Sequence, residues 1–146
     1  MAKTKISDLG SRDIALSAGG EVRKSAIADG TAKPGDLVGI TDADGKAVQT
    51  GTGGVDYYTG ILDNDYKTAE DTAIPVGTIV SIIIPRSGRL YRSKCLDFGG
   101  AAVQGAAVKL GTGGAVTFDA AIENATFGYL NKAIVDDDTV CEWRAK

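Results

Sequence analysis

GDLVGITDADGKAV, residues 35–48, and GAAVKLGTGGAV, residues 105–116, share one outline. Each begins with Gly, runs through a short apolar alternation, breaks at a Gly-containing turn and resumes with Val. Alternation with a period of two marks a strand whose two faces meet different surroundings. Asp44-Gly45 between two such runs is a strong hairpin signal, because glycine accepts the positive φ of a tight hairpin turn. The glycines also suggest, at first sight, a phosphate-binding loop. That loop requires Gly-x-x-x-x-Gly-Lys-Ser/Thr opening a helix, with the lysine on the phosphates and the hydroxyl on magnesium. Neither GTGG segment, 51–54 or 111–114, is followed by Lys and Ser/Thr, and both lead into strand-like residues. The glycines turn the chain.

The likeness extends outward from these two stretches. Gly35, Val38 and Ile40 match Gly105, Val108 and Leu110, and Val48 matches Val116. Thr59-Gly60-Ile61-Leu62 matches Phe127-Gly128-Tyr129-Leu130, and Thr78-Ile79-Val80 matches Thr139-Val140-Cys141 after a shorter connection. Thr78–Ile84 is β-branched, bounded by Gly77 and Pro85, and too short for an ordinary globular helix, so it reads as a central strand. Ser87-Gly88 is expected to turn the chain, with Arg89 to Leu96 running back. One such unit has too little apolar surface to stand alone, so two are expected to share a core. The predicted fold is all-β: a compact Gly-rich barrel or sandwich-like body over 25–146, built from two similar β units (34–84 and 104–143). An extended N-terminal arm, 1–24, precedes it, in which charge, Ser and Gly mix with scattered apolar residues.

Composition sets the bounds. The 146 residues suffice for one domain burying about two thirds of its unfolded surface. With 20 Gly but 3 Pro, the chain is neither collagen-like nor a Pro-rich linker. The formal charge is −3, with a small basic excess in the first 33 residues and an acidic excess in the rest. Nucleic-acid binding requires a concentrated basic face and is not expected of the body. Nor is a membrane role, since no apolar run reaches about 18 residues and no secretory leader pattern opens the chain. Synthesis in the cytosol is expected. Cys95 and Cys141 read as buried thiols, and their spacing does not decide whether they are bridged.

Nothing in the sequence assembles a catalytic constellation, and no enzyme, metal site or cofactor is expected. There is no His, the commonest neutral-pH base and zinc-binding nitrogen. Asp63, Asp65, Glu70 and Asp71 flank a loop, and Asp136 to Asp138 form a run. As a calcium loop, DNDYKTAED lacks the glycine at its sixth position and has Lys67 where a ligand belongs. Solvated turn carboxylates are the plain reading. The most distinctive charge feature is PRSGRLYRSK, residues 85–94, where Arg86, Arg89, Arg92 and Lys94 occur without an acidic residue. In a hairpin these form a compact basic patch beside Tyr91. Such a patch is either solubilising charge on a strand edge or a docking surface for a protein partner, since Arg and Tyr are favoured at interfaces, with nucleic acid a weaker third option.

The order KPGDLVGITDADGKAVQT, YYTGILDND, VGTIVSIIIPRSGRLYRSKCL resembles the head decoration, or capsid cement, proteins of tailed phages and related viruses. QGAAVKLGTGGAVTF followed by FGYLNKAI is similar to the second copy of the unit in related β-rich virion proteins. The resemblance covers about residues 26–143 and is a pattern of glycine and aliphatic residues. It implies a structural role on the outer capsid surface of a virion, bridging major capsid protein subunits. It also implies homo-oligomerisation, with a trimer favoured, and an arm that reaches onto the shell. Carried over, Ile6, Leu9, Ile14 and Leu16 would be the arm's apolar contacts, with Arg86, Arg89, Tyr91 and Arg92 as further partner contacts. The second repeat and the cysteine pair depart from shorter, single-body members. Another phage head or tail component, or a small carbohydrate-binding β module using Tyr57 and Tyr58, is the alternative.

Overall fold

A computed structural model describes residues 22–41, 45–51, 59–63, 72–95, 100–119, 125–135 and 140–146. Its ten strands fall into two groups of five. The first contains β1 (Val22–Ala28), β2 (Leu37–Ile40), β3 (Lys46–Gln49), β4 (Gly60–Leu62) and β5 (Ile79–Ile84). The second contains β6 (Leu90–Lys94), β7 (Ala107–Leu110), β8 (Val116–Thr117), β9 (Thr126–Leu130) and β10 (Val140–Ala145). The first group closes into a barrel in the order β1-β3-β2-β4-β5, and the second forms a sheet in the order β6-β10-β9-β7-β8. These are one topology. The barrel closes through a parallel β1–β3 pairing that includes Ala28 with Ala47, and in the second group a lone parallel bridge, Cys95 to Val116, stands at the same place.

The duplication read from the sequence is therefore present, and each unit is one strand longer than the repeats 34–84 and 104–143 allowed. That strand is β1 in the first unit and β6 in the second. β1 starts at Val22, so residues 22–24, assigned to the arm, are paired with β5. Backbone hydrogen bonds repeat residue for residue. Gly35 N–H donates to Leu62 O at 2.9 Å, and Gly105 N–H to Leu130 O at 2.8 Å. Both glycines have positive φ, 83° and 91°, which a residue with a Cβ reaches only under strain. Gly60 and Gly128 serve otherwise. A Cβ at Gly60 would lie 2.5 Å from Ile83 O, and one at Gly128 2.7 Å from Arg144 O. Only a glycine lets the fourth strand of each unit cross its neighbour so closely.

Two expectations require correction. Val48 and Val116 are not equivalent: β2 pairs Ile40 with Ala47, and β7 pairs Leu110 with Val116, so Ala47 is the counterpart of Val116. The turn of the second unit is one residue shorter, and a slip of one residue reverses the face on which a strand side chain lies. Nor does 85–94 form a hairpin. β5 belongs to the barrel, and β6 pairs with β10 in the other sheet, so this segment crosses from one unit to the next.

The interiors also match. In the barrel, Ala28, Ala32, Val38, Ala47, Leu62, Ile74, Val80 and Ile82 are buried together. At the corresponding places in the second unit stand Cys95, Ala102, Val108, Val116, Leu130, Ile134, Cys141 and Trp143. The second filling is bulkier. Trp143 packs edge-on against Phe127 at 5.3 Å and tilted against Tyr91 at 5.4 Å, with its indole N–H donating to Ser93 Oγ at 2.9 Å. Leu37, Ile61 and Ile83 point out of the barrel and join the second unit's core cluster, so the two units share apolar packing.

Candidate interaction surface

The junction between the units is the most polar buried place in the described residues. Asp36 immediately precedes β2, and its carboxylate accepts from Lys33 N–H and from the Gln49 side-chain amide, each at 2.8 Å. Its other oxygen meets Lys94 Nζ of the second unit at 2.5 Å, with both side chains buried. Leu37 N–H donates to Gly114 O at 2.8 Å, and Gly114 N–H to Thr50 O at 3.0 Å. A Cβ on Gly114 would lie 2.7 Å from Asp36 Cβ, so the turn can approach only as glycine. With every polar group partnered, this is a structural lock rather than a poised reactive centre.

The expected basic patch is taken apart by the same topology. On β6 alternate residues face opposite ways. Tyr91 and Ser93 face inward, and Arg92 and Lys94 face outward. Lys94 is consumed at the junction. Tyr91 is 1% exposed, its hydroxyl accepting from Arg86 N–H at 2.9 Å. The ring expected on the surface is part of the core, and it is replaced here as a contact candidate by no other aromatic of the segment. Arg86 is exposed and Arg89 half-buried on the crossover turn, where Arg144 donates to Gly88 O at 2.6 Å. Arg92 lies apart from them, across the sheet from Glu142. A cleft of about 100 Å³ there is lined by Arg92, Lys132, Ile134 and Glu142, among others. Glu142 is held by Asn131 Nδ2 at 2.8 Å and faces Lys132 Nζ at 3.7 Å. That end of the patch is electrically mixed.

Ile6, Leu9, Ile14 and Leu16 lie outside the described residues, as do Tyr57, Tyr58, Asp65, Glu70, Asp71 and Asp136 to Asp138. Asp63 is described, and it pairs with Arg23. Among the described residues no cluster of three or more His, Cys, Asp or Glu is placed to hold a metal ion. Cys95 and Cys141 are free thiols buried in the second unit's interior, and burial first, then the neighbouring Cys95, pushes the Cys141 thiol well up.

One surface was not foreseen. Ile27 on β1 and Ile79 on β5 are cross-strand partners pointing away from the barrel, and they are 41% and 72% exposed. Lys46 on β3 flanks Ile27 on the other side. The available signal was the alternation Ala26-Ile27-Ala28, but small residues on one side and a branched one on the other do not announce which side is buried.

No family model and no curated protein matches the chain. Among solved structures it is similar to the crystal structure of the head fiber gp8.5 N base in bacteriophage phi29, with a TM-score of 0.53 at 12% sequence identity. The match covers 86% of this chain and 94% of that one, so the two-unit β architecture is a fold that the phage protein shares nearly end to end.

Proposed function

We propose that the chain is a phage head structural protein, and that it binds the outer capsid surface and stabilises contacts between major capsid protein subunits. The single observation that carries this reading is the fold shared over 86% of the chain with a phage head fiber base. The sequence resemblance to capsid decoration proteins points the same way. The reading assigns no catalysis, cofactor or metal: the work is done by surfaces. A cement protein needs polyvalent contact. Weak contacts to several shell subunits, made by a trimer, add up through effective concentration. The arm, through Ile6, Leu9, Ile14 and Leu16, supplies one set of contacts, and Arg86 and Arg89 on the crossover turn supply a polar one.

The test is addition of purified protein to expanded capsids that lack it. The cement reading expects stoichiometric decoration of the shell and increased resistance of the capsid to heat. Deleting residues 1–20 leaves β1 intact and should weaken addition without unfolding the body. Binding at a few sites per capsid, with no gain in heat resistance, would instead favour the second reading, a fibre base, for which the phi29 match speaks directly. Failure to bind capsids at all defeats both.

A further inference from the structure

The chain has two cysteines, far apart in sequence, and the fold sets them side by side. β6 and β10 pair Ser93 with Cys141. Cys95 lies two residues beyond Ser93, so it is the diagonal neighbour of Cys141 on the same inward face. Both side chains belong to the core cluster of the second unit, at 8% and 2% exposure, and the Cys141 thiol is hydrogen-bonded to Cys95. The barrel shows that the fold does not require sulfur there. Ala26 faces Val80 across β1 and β5 as Ser93 faces Cys141, so Ala28 and Val80 stand at the two equivalent places, both buried. An interior that accepts Ala and Val at these positions holds, in the second unit, two thiols in contact.

Their place in the unit matters as much as their proximity. The barrel closes where β1 runs parallel to β3, through Ile27 with Lys46 and Ala28 with Ala47. The same seam in the second unit is a lone parallel bridge, from Cys95 to Val116. Cys95 also lies one residue past the last rung that β6 shares with β10, Lys94 with Val140. The residue that closes the second unit therefore sits beyond the end of one ladder, on a seam of one bridge. A bond from its sulfur to Cys141 would tie that seam to β10, an inner strand of the sheet.

We infer that Cys95 and Cys141 are an oxidation site, joined as a disulfide when the chain meets a small peroxide, and that the bond staples the seam of the second unit. Burial selects a small oxidant, since neither thiol leaves room for a bulky one. Cys95, the more exposed of the two, reacts first. Its sulfur attacks one peroxide oxygen, the O–O bond breaks, and a sulfenic acid and one water result. The Cys141 sulfur then displaces the sulfenic hydroxyl, which leaves as a second water with the Cys141 proton. Two thiols lose two electrons, and one peroxide is reduced to two waters. Closing the sulfurs from hydrogen-bond contact to about 2.0 Å is the work of side-chain rotation, at a residue outside the β6–β10 ladder. Cytosolic thiol buffers keep such a pair reduced, and an oxidising medium lets the bond form. The inference is independent of the capsid reading: a chain that decorates capsids could lack the staple, and one that never touches a capsid could carry it.

The experiment treats the full chain, purified reduced, with a modest excess of hydrogen peroxide. It reads the intact mass, the thiols remaining after denaturation, and the thermal midpoint by circular dichroism. The mass should fall by two hydrogens, and both thiols should vanish together and return with a reductant. A digest made without reductant should yield peptides joined through Cys95 and Cys141. The midpoint should rise by roughly 5 °C or more, as a disulfide in a domain of this size typically gives. Cys95→Ala and Cys141→Val install the residue types that the barrel carries at Ala28 and Val80, and each should abolish both the loss of mass and the rise. Thiols that survive the treatment overturn the inference. So does oxygen added to Cys95 without a cross-link, a bond between two chains, or a cross-link that leaves the midpoint unraised. Because the link is read in the wild-type protein itself, the result stands even where a variant fails to fold.

Discussion

The Asp36–Lys94 pair makes a quantitative claim about what holds the units together. Each residue is replaced by the one at its equivalent position in the other unit, Asp36→Ala after Ala106 and Lys94→Ile after Ile27. Lys94→Ile leaves a buried carboxylate that retains Lys33 N–H and Gln49 as donors, and about 3 kcal/mol should be lost, the lower end for breaking a buried pair. Asp36→Ala leaves the ammonium buried and orphans both donors, so the loss should be about 4 to 5 kcal/mol. In the double variant no charge remains. The two broken hydrogen bonds, at about 1 kcal/mol each, together with the small cavity left by the carboxylate, should bring its loss to about 4 kcal/mol. The double-mutant cycle should then show coupling of about 3 kcal/mol, the upper end for residues in one network. Urea unfolding followed by Trp143 emission measures all four proteins. Because the pair is buried, added salt should change the coupling little. Coupling below about 0.5 kcal/mol would refute the account of the junction.

Three further outcomes follow from the same structure. Gly60→Ala and Gly128→Ala should each cost about 3 kcal/mol, because the new methyl meets backbone of the fifth strand. Gly105→Ala, with open space around it, should cost only the backbone strain of about 1 kcal/mol, and equal losses at all three sites in chemical denaturation would contradict this. Leu37, Ile61 and Ile83 share a cluster with Trp143, so emission from Trp143 and far-ultraviolet circular dichroism should report one unfolding midpoint, whereas two separated midpoints would show the units to be independent. Above about pH 8.5 the unfolded chain sheds the Cys141 proton while the folded chain keeps it, because its thiol pKa is raised. The folded form then binds more protons, and stability falls as pH rises. Cys141→Val should flatten that fall between pH 8 and 10 in thermal melts, and an unchanged slope would rule the thiol out.

The strands and turns that repeat were legible because their constraints are local. Gly35 and Gly105 are needed for positive φ, and Gly60 and Gly128 for a close crossing, so both pairs leave a mark in the sequence. β1 left none: Val22 to Lys24 carry no alternation, and the strand exists because β5 and β3 flank it. The basic segment misled for a related reason. Its turn residues Ser87-Gly88 are compatible with a hairpin, but which sheet the next strand joins is decided by the distant β10, whose Trp143 pairs with Tyr91. No window around residue 88 contains that information. The fate of Lys94 was hidden in the same way, since its partner Asp36 lies in the other unit.

Comparing the two units with each other separates what the fold demands from what the protein uses. At eight equivalent interior positions every residue is apolar in both units and the differences are of size, and at a ninth Ala26 of the barrel is matched by Ser93, whose hydroxyl accepts from the Trp143 indole of the bulkier filling. On the outward positions the two units differ in character: Asp36 against Ala106, Ile61 against Tyr129, Ile83 against Arg144, Ile27 against Lys94. A barrel interior restricts its residues to those that fill it, whichever unit they belong to. An outer position is restricted only by what touches it, and these positions in the two units touch different things. Leu37, Ile61 and Ile83 are apolar because a second unit covers them, and Tyr129 and Arg144 need not be. By that logic Ile27 and Ile79 stand out, because two branched apolar residues paired across adjacent strands remain exposed to water. The place to look for what this chain does is its outer faces, beginning with that pair.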